Sequence, residues 1–361
     1  MRRRTRTAPI SATAAMVAAT SLFFPGLADA VVGPDGVQEI VAAVGADTTY
    51  EVTGAIFAAA NSSAANTDPD AYVNVPSVLT AGQAFTVPGD VYDPGTIYRS
   101  ANPPPNGAIA GGYALADAAA AHSGLIDLVR SDSPRSSSDP PTFQYYAFAK
   151  DAVSWAASST GAGAGVTLTL DQLRGIYSGA ITNWNQVGGG NAPIVVYLPQ
   201  IGSGTLTFFT GTVLGFDPTT KPVVVKRFQE NYAATISASD RATAIMPHSV
   251  AQWAAQGNGV ADDQRAGFFE GTLLGGGSDA SPVSGTPHNY VPTYSDAFIG
   301  AHSVSYVLDT RSRSYDAALN AVGFDSAGPS PLCNGSYAGV LAQYSFKPLP
   351  ARSDGVTCTL S

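Results

Sequence analysis

Four short stretches of the 361-residue chain carry side chains suited to holding an oxyanion: residues 47–50, 106–108, 131–136 and 202–205. A Ser or Thr hydroxyl donates without bulk, and glycine lets the backbone approach a ligand closely. The first N–H groups of a helix have no internal partner and carry partial positive charge. Ser203, Gly204 and Thr205 combine these features, Thr49 and Tyr50 stand in a similar place, and Asp132 and Arg135 add a carboxylate and a guanidinium. Each stretch has a plainer reading. A Gly-Ser-Gly-Thr run is also an ordinary turn at the start of a helix, Asp132 a turn former beside Pro134, and Arg135 a solvated surface charge.

Catalytic chemistry is not expected. His122, His248, His288 and His302 are scattered, with no His-Glu-x-x-His and no cysteine cluster, so neither a metal site nor a cofactor is implied. Ser203 lies between glycines, but Ile201 holds the place of the first Gly of a Gly-x-Ser-x-Gly nucleophile elbow.

The elements that must position these loops alternate. An apolar run at residues 37–44 breaks at 45–49, and helical spacing follows at Val52, Ile56, Phe57 and Ala60. The turn Pro105, Asn106, Gly107 precedes an Ala-rich helix with Ile109, Tyr113 and Ala116 on one side, and a strand over 125–129 runs into the loop 131–136. A second region starts near Asp151. There Thr169 and Gln172 form a capping box for a helix with Leu170, Leu173, Ile176 and Tyr177 on one face. A strand over 192–198, the loop 202–205, a helix with Leu206, Phe208 and Phe209, a strand over 223–225 and a helix from Ser249 through Trp253 continue the pattern. Residues 257–290 read as an irregular surface excursion. A strand at 304–308 and a helix from the cap Ser314 to the stop Gly323 follow. Such alternation implies an α/β architecture with mainly parallel strands, and in open sheets of this kind the ligand crevice lies at the carboxyl ends of the strands, where the four loops fall.

Composition narrows the function further. Charged residues make up only 12% of the chain, while 45% are hydrophobic, enough apolar surface to fold. Arg2, Arg3, Arg4 and Arg6 precede an apolar stretch ending in Ala28, Asp29, Ala30, which reads as a secretory signal peptide over 1–30. Without those residues 14 basic face 26 acidic side chains, a balance that argues against nucleic acid, and no later stretch is long enough for a membrane span. In an oxidising compartment Cys333 and Cys358 read as one disulfide closing the C-terminal segment, two free thiols being the alternative.

The segment 148–209 carries three ordered blocks: Ala-Lys-Asp-Ala-Val-Ser-Trp, then Leu-Thr-Leu-Asp-Gln-Leu-Arg-Gly-Ile-Tyr-Ser-Gly-Ala-Ile-Thr-Asn-Trp-Asn-Gln-Val-Gly-Gly, then Pro-Ile-Val-Val-Tyr-Leu-Pro-Gln-Ile-Gly-Ser-Gly-Thr. In this it resembles the phosphate-binding proteins of ABC transporters, especially their secreted actinobacterial relatives. The resemblance implies a two-lobed, type 2 periplasmic-binding-protein-like α/β fold, each lobe a mixed sheet flanked by helices, joined by two crossovers. Lobe 1 is expected over 31–150 plus 257–361 and lobe 2 over 151–256. It implies an extracellular monomer that captures phosphate or a related oxyanion and hands it to an ABC permease. By motif, Ser203, Gly204 and Thr205 match the family's anion loop, Thr49 and Tyr50 its N-terminal contact, and Asp132 the carboxylate that accepts a proton from phosphate.

Two positions depart from the family. Pro199 stands where the pattern has Arg, and Ala108 where it has a Ser. An enclosed divalent anion needs compensating charge, which Arg130 or Arg135 would supply, Arg135 being the expected ligand because it lies further along the loop. The competing expectation is an extracellular scaffold or interaction protein that has lost solute capture.

Overall fold

The computed structural model describes residues 39–62, 71–89, 94–277, 281–325 and 328–361; the segment read as a signal peptide lies outside the described residues. Strands β1 (Val41–Gly45), β2 (Tyr72–Asn74), β3 (Leu128–Ser131), β4 (Phe143–Ser158), β5 (Val195–Pro199), β6 (Val225–Phe228), β7 (Ala244–Ser249) and β8 (Ala301–Asp309) lie side by side in the order β2-β1-β3-β8-β4-β7-β5-β6. Helices α1 (Tyr50–Asn61), α2 (Ala108–Ala121), α3 (Leu170–Ser178), α4 (Gly204–Phe208), α5 (Val250–Gly257) and α6 (Tyr315–Val322) accompany them.

The parallel strands expected from the alternation form the two flanks, β2-β1-β3 and β7-β5-β6. The centre differs: β8 runs antiparallel to both β3 and β4, and β4 antiparallel to β7. The sheet is therefore mixed. Both of its faces are covered, which is why β1 reads as an unbroken apolar run and is buried throughout.

The boundary expected near Asp151 falls inside β4, whose 16 residues belong to both halves of the sheet. Residues 143–152 of this strand pair with β8 and residues 153–157 with β7. One core, around Val41, Leu128, Phe148, Tyr306 and Leu319, packs one half, and a second, around Trp155, Leu173, Tyr177, Leu198 and Phe209, packs the other. The Cys333–Cys358 disulfide is formed and lies in the first core.

On α2 the buried face carries Leu115, Ala118 and Ala119, while Ile109, Tyr113 and Ala116 share a side that borders a cavity, Tyr113 73% exposed and the other two half-buried. One local expectation is corrected. The stretch 257–290 is not all surface. Phe268, Leu273 and Val283 are buried in the cores, and Phe268–Glu270 adds a short strand to the end of β4.

Candidate anion-binding site

All four loops meet at the carboxyl ends of the strands. The Asp132 Oδ2 just beyond β3 accepts from Thr48 Oγ1 and from Thr205 Oγ1, each at 2.8 Å. Asn231 Nδ2, after β6, donates to Thr48 Oγ1 at 3.0 Å, and Gln252 Nε2 on α5 donates to the Thr48 carbonyl at 2.7 Å. The start of α2 joins the same junction: Ile109 N donates to the Gly202 carbonyl at 3.0 Å, and Gln200 Nε2 donates to Asn106 Oδ1 at 2.9 Å. The halves of the sheet are thus bonded directly to each other.

Two glycines permit this approach. Gly107 has φ 106°, and a Cβ there would lie 2.3 Å from the Gly202 oxygen; a Cβ on Gly204 would lie 1.9 Å from Asp132 Oδ1.

Ser203 caps α4, its Oγ accepting from Leu206 N at 2.9 Å. That hydroxyl also donates to Glu230 Oε1, and the same oxygen accepts from Thr205 N at 3.2 Å. A buried carboxyl oxygen therefore sits where the sequence places an oxyanion. Glu230 lies just after β6 and is fully buried, as are Asp132 and Ser203. Burial first, and then the charge of Asp132, push the Glu230 carboxyl well above the usual carboxylate range, against the opposing Ser203 hydrogen bond. Asp47 is raised too, by burial and then Glu51, with Arg130 pulling the other way. Three buried polar atoms of these loops have no partner: Thr49 Oγ1, Asp132 Oδ1 and Glu230 Oε2.

Glu230 is not among the residues to which the sequence analysis assigns a role. Its signal was positional, an acidic residue between two amides directly after a parallel strand.

The arginines lie elsewhere. Arg130 is buried and donates to the Ala43 carbonyl at 2.9 Å, the Val75 carbonyl at 2.9 Å, the Ala46 carbonyl at 3.1 Å and Asn74 Oδ1 at 2.7 Å. Burial lowers its pKa to about 10. It holds β1, β2 and β3 together. Arg135 is exposed, 6.0 Å from the Tyr145 ring, on the wall of a cavity of about 700 Å³ bordered by α2, the loop after β3 and the helical segment from α4 onward. Among the described residues no cation bonds to the Asp132 or Glu230 carboxyl. Pro199, where the family has Arg, offers its carbonyl to Arg227 Nη1 at 2.8 Å.

Thr49 and Tyr50 stand at the start of α1. The Tyr50 N–H donates to the Asp47 carbonyl at 3.0 Å, and its ring lies under Arg130 at 5.3 Å. Among the described residues no His, Cys, Asp or Glu group fits a metal ion, and no helix is long and apolar enough to cross a membrane.

The chain belongs to the PBP superfamily: residues 101–308 match the model of its domain. Among solved structures it is similar to a putative phosphate ABC transporter substrate-binding protein with bound phosphate from Clostridium perfringens, at 15% identity and TM-score 0.53, over 86% of this chain and 100% of that one. It is also similar to an ABC-type phosphate transport receptor from Vibrio cholerae, at 15% identity and TM-score 0.50, with the same coverage. No curated protein matches the chain. The mixed α/β architecture expected from sequence is that of these neighbours.

Proposed function

We propose that the chain is a secreted solute-binding protein that captures phosphate or a related oxyanion between two lobes, residues 31–150 plus 257–361 and residues 151–256, for delivery to an ABC permease. The observation that carries this reading is the carboxyl oxygen held by Ser203 Oγ and Thr205 N at the start of α4. The donor set already accommodates an oxygen of an oxyacid in a buried place. Membership of the PBP superfamily supports binding over catalysis.

The proposed ligand groups are Ser203, Gly204, Thr205, Asp132 and Thr49, with Tyr50 beside them and Arg135 outside the junction. Asp132 gives the selectivity, because a carboxylate accepts a hydrogen bond from a protonated phosphate oxygen and repels fully ionised sulfate. Equilibrium dialysis of the purified protein against labelled phosphate tests this: saturable binding that sulfate does not reverse is expected.

A second reading, an extracellular scaffold, draws on one specific observation: among the described residues the junction holds Glu230 and no guanidinium. Absence of saturable phosphate binding at millimolar concentrations would select it.

A further inference from the structure

We propose that Glu230 is a tethered occupant of the anion seat and thereby a specificity-determining residue: a solute oxyanion enters by displacing its carboxyl, which then ionises. This rests on the oxyanion-binding reading.

The geometry makes Glu230 a competitor for the seat, not a bystander. Its Oε1 takes both the Ser203 hydroxyl and the Thr205 amide, the two donors at the start of α4 that a solute would need. The backbone of Glu230 is fixed independently, its N–H donating to Gln200 Oε1 at 2.8 Å, so the side chain can leave while the loop stays.

The surroundings set the charge of this occupant. From the loop after β1 it faces Asp47, from the loop after β3 Asp132, and from the start of α4 the cap Ser203 and Thr205. Beside it on its own loop are Asn231 and Tyr232, the latter close enough to Asp47 to lower the pKa of that carboxyl. Behind Asn231 lies His248, whose Nε2 is 3.2 Å from the Asn231 carbonyl and whose pKa burial lowers to about 4, leaving it neutral. The charges acting on Glu230 are thus those of Asp132 and Asp47, which disfavour a second anion beside them. Oε1 accepts both hydrogen bonds, so the proton of the neutral acid resides on Oε2, which has no partner.

A ligand that replaces a neutral carboxyl must match its one accepting oxygen and do more. A tetrahedral oxyanion has further oxygens, and Thr49 Oγ1 and Asp132 Oδ1 are buried without partners in the same loops. Asp132 remains an acceptor, so the entering anion must itself carry a proton. The class selected is the protonated tetrahedral oxyanion, phosphate or arsenate. When Glu230 leaves for water it loses its proton to the buffer, so capture releases one proton from this residue.

The test is calorimetric titration of inorganic phosphate into the purified wild type, Glu230→Ala and Glu230→Gln at about pH 6, in two buffers of different ionisation enthalpy. The wild type should release more protons per phosphate than Glu230→Gln, which keeps the accepting oxygen without titrating. Glu230→Ala should bind about tenfold or more tightly than wild type. Equal or weaker binding by Glu230→Ala, or equal proton release by wild type and Glu230→Gln, overturns the inference. Failure of all three proteins to bind phosphate overturns the proposed function instead. The inference is then decided without ligand: wild-type melting temperature should fall relative to Glu230→Gln as pH rises from about 4.5, the usual carboxyl value, and coincident profiles would overturn it.

Discussion

The Asp132 carboxylate accepts the Thr205 hydroxyl at 2.8 Å, tying the loop after β3 to the first turn of α4. One oxygen of that carboxylate serves Thr205 and Thr48 together, and the other faces Gly204 without a partner. In Asp132→Asn the amide nitrogen donates where the carboxylate accepted. Discrimination between phosphate and sulfate should therefore fall by about tenfold or more, since a buried mispaired group costs about 1–3 kcal/mol. Competition titration with the two anions measures it. Unchanged selectivity would remove Asp132 from the specificity argument.

Gly204→Ala places a Cβ 1.9 Å from Asp132 Oδ1 and 3.0 Å from the Ala108 Cβ. The junction has to spread, with a loss of about 1–3 kcal/mol in denaturant melts and weakened phosphate binding. Gly211→Ala is the control. Nothing lies within 4 Å of its added carbon, so stability should hold or rise by up to about 1 kcal/mol, the helix preference of Ala over Gly.

The two arginines of the β3 end should behave oppositely. Arg130→Met strips donors from the buried carbonyls of Ala43, Ala46 and Val75, and about 3 kcal/mol or more should be lost. Arg135→Ala touches only an exposed side chain against Tyr145 and should stay within about 0.5 kcal/mol, with phosphate affinity unchanged. A large drop in affinity for Arg135→Ala would return its guanidinium to the anion site.

His248 predicts an acid limb. Burial depresses its pKa from 6.5 to about 4, so the folded protein holds it neutral while the unfolded chain takes up a proton first. Its contribution is complete above 6.5 and is lost as pH falls from 6.5 to about 4. Glu230 has the opposite sign, since a raised carboxyl favours the folded state at low pH and loses that advantage as pH rises. Melting curves of His248→Gln should lack the His248 limb, and a profile parallel to wild type would contradict the assignment.

Local signals were the legible part of this fold. The capping box is realised, with Thr169 Oγ1 accepting from Gln172 N at 3.1 Å and Gln172 Oε1 accepting from Thr169 N at 2.8 Å. Three of the four loops, 47–50, 131–136 and 202–205, lie at strand ends because small polar residues after apolar runs can hardly do otherwise, while 106–108 follows a proline run and joins them through a bridge from Asn106 to Gly45. The length of β4 was hidden for a physical reason. Lys150 and Asp151 look like a polar break, yet Asp151 is buried and accepts from Ser249 Oγ and from Ala251 N, so the strand passes through them. Arg130 and Arg135 look alike in sequence, and only long-range carbonyls decide that the first is internal. Glu230 was missed because its meaning lies in donors 25–27 residues earlier in the chain.

The 16-residue span of β4 has a mechanical consequence. Because β4 itself makes this crossing without a break, any opening between the two halves must bend β4 as a leaf spring bends, and the displacement is shared over many peptide units. A protease nick within β4 should not release two stable fragments, and calorimetric melting should give a single endotherm.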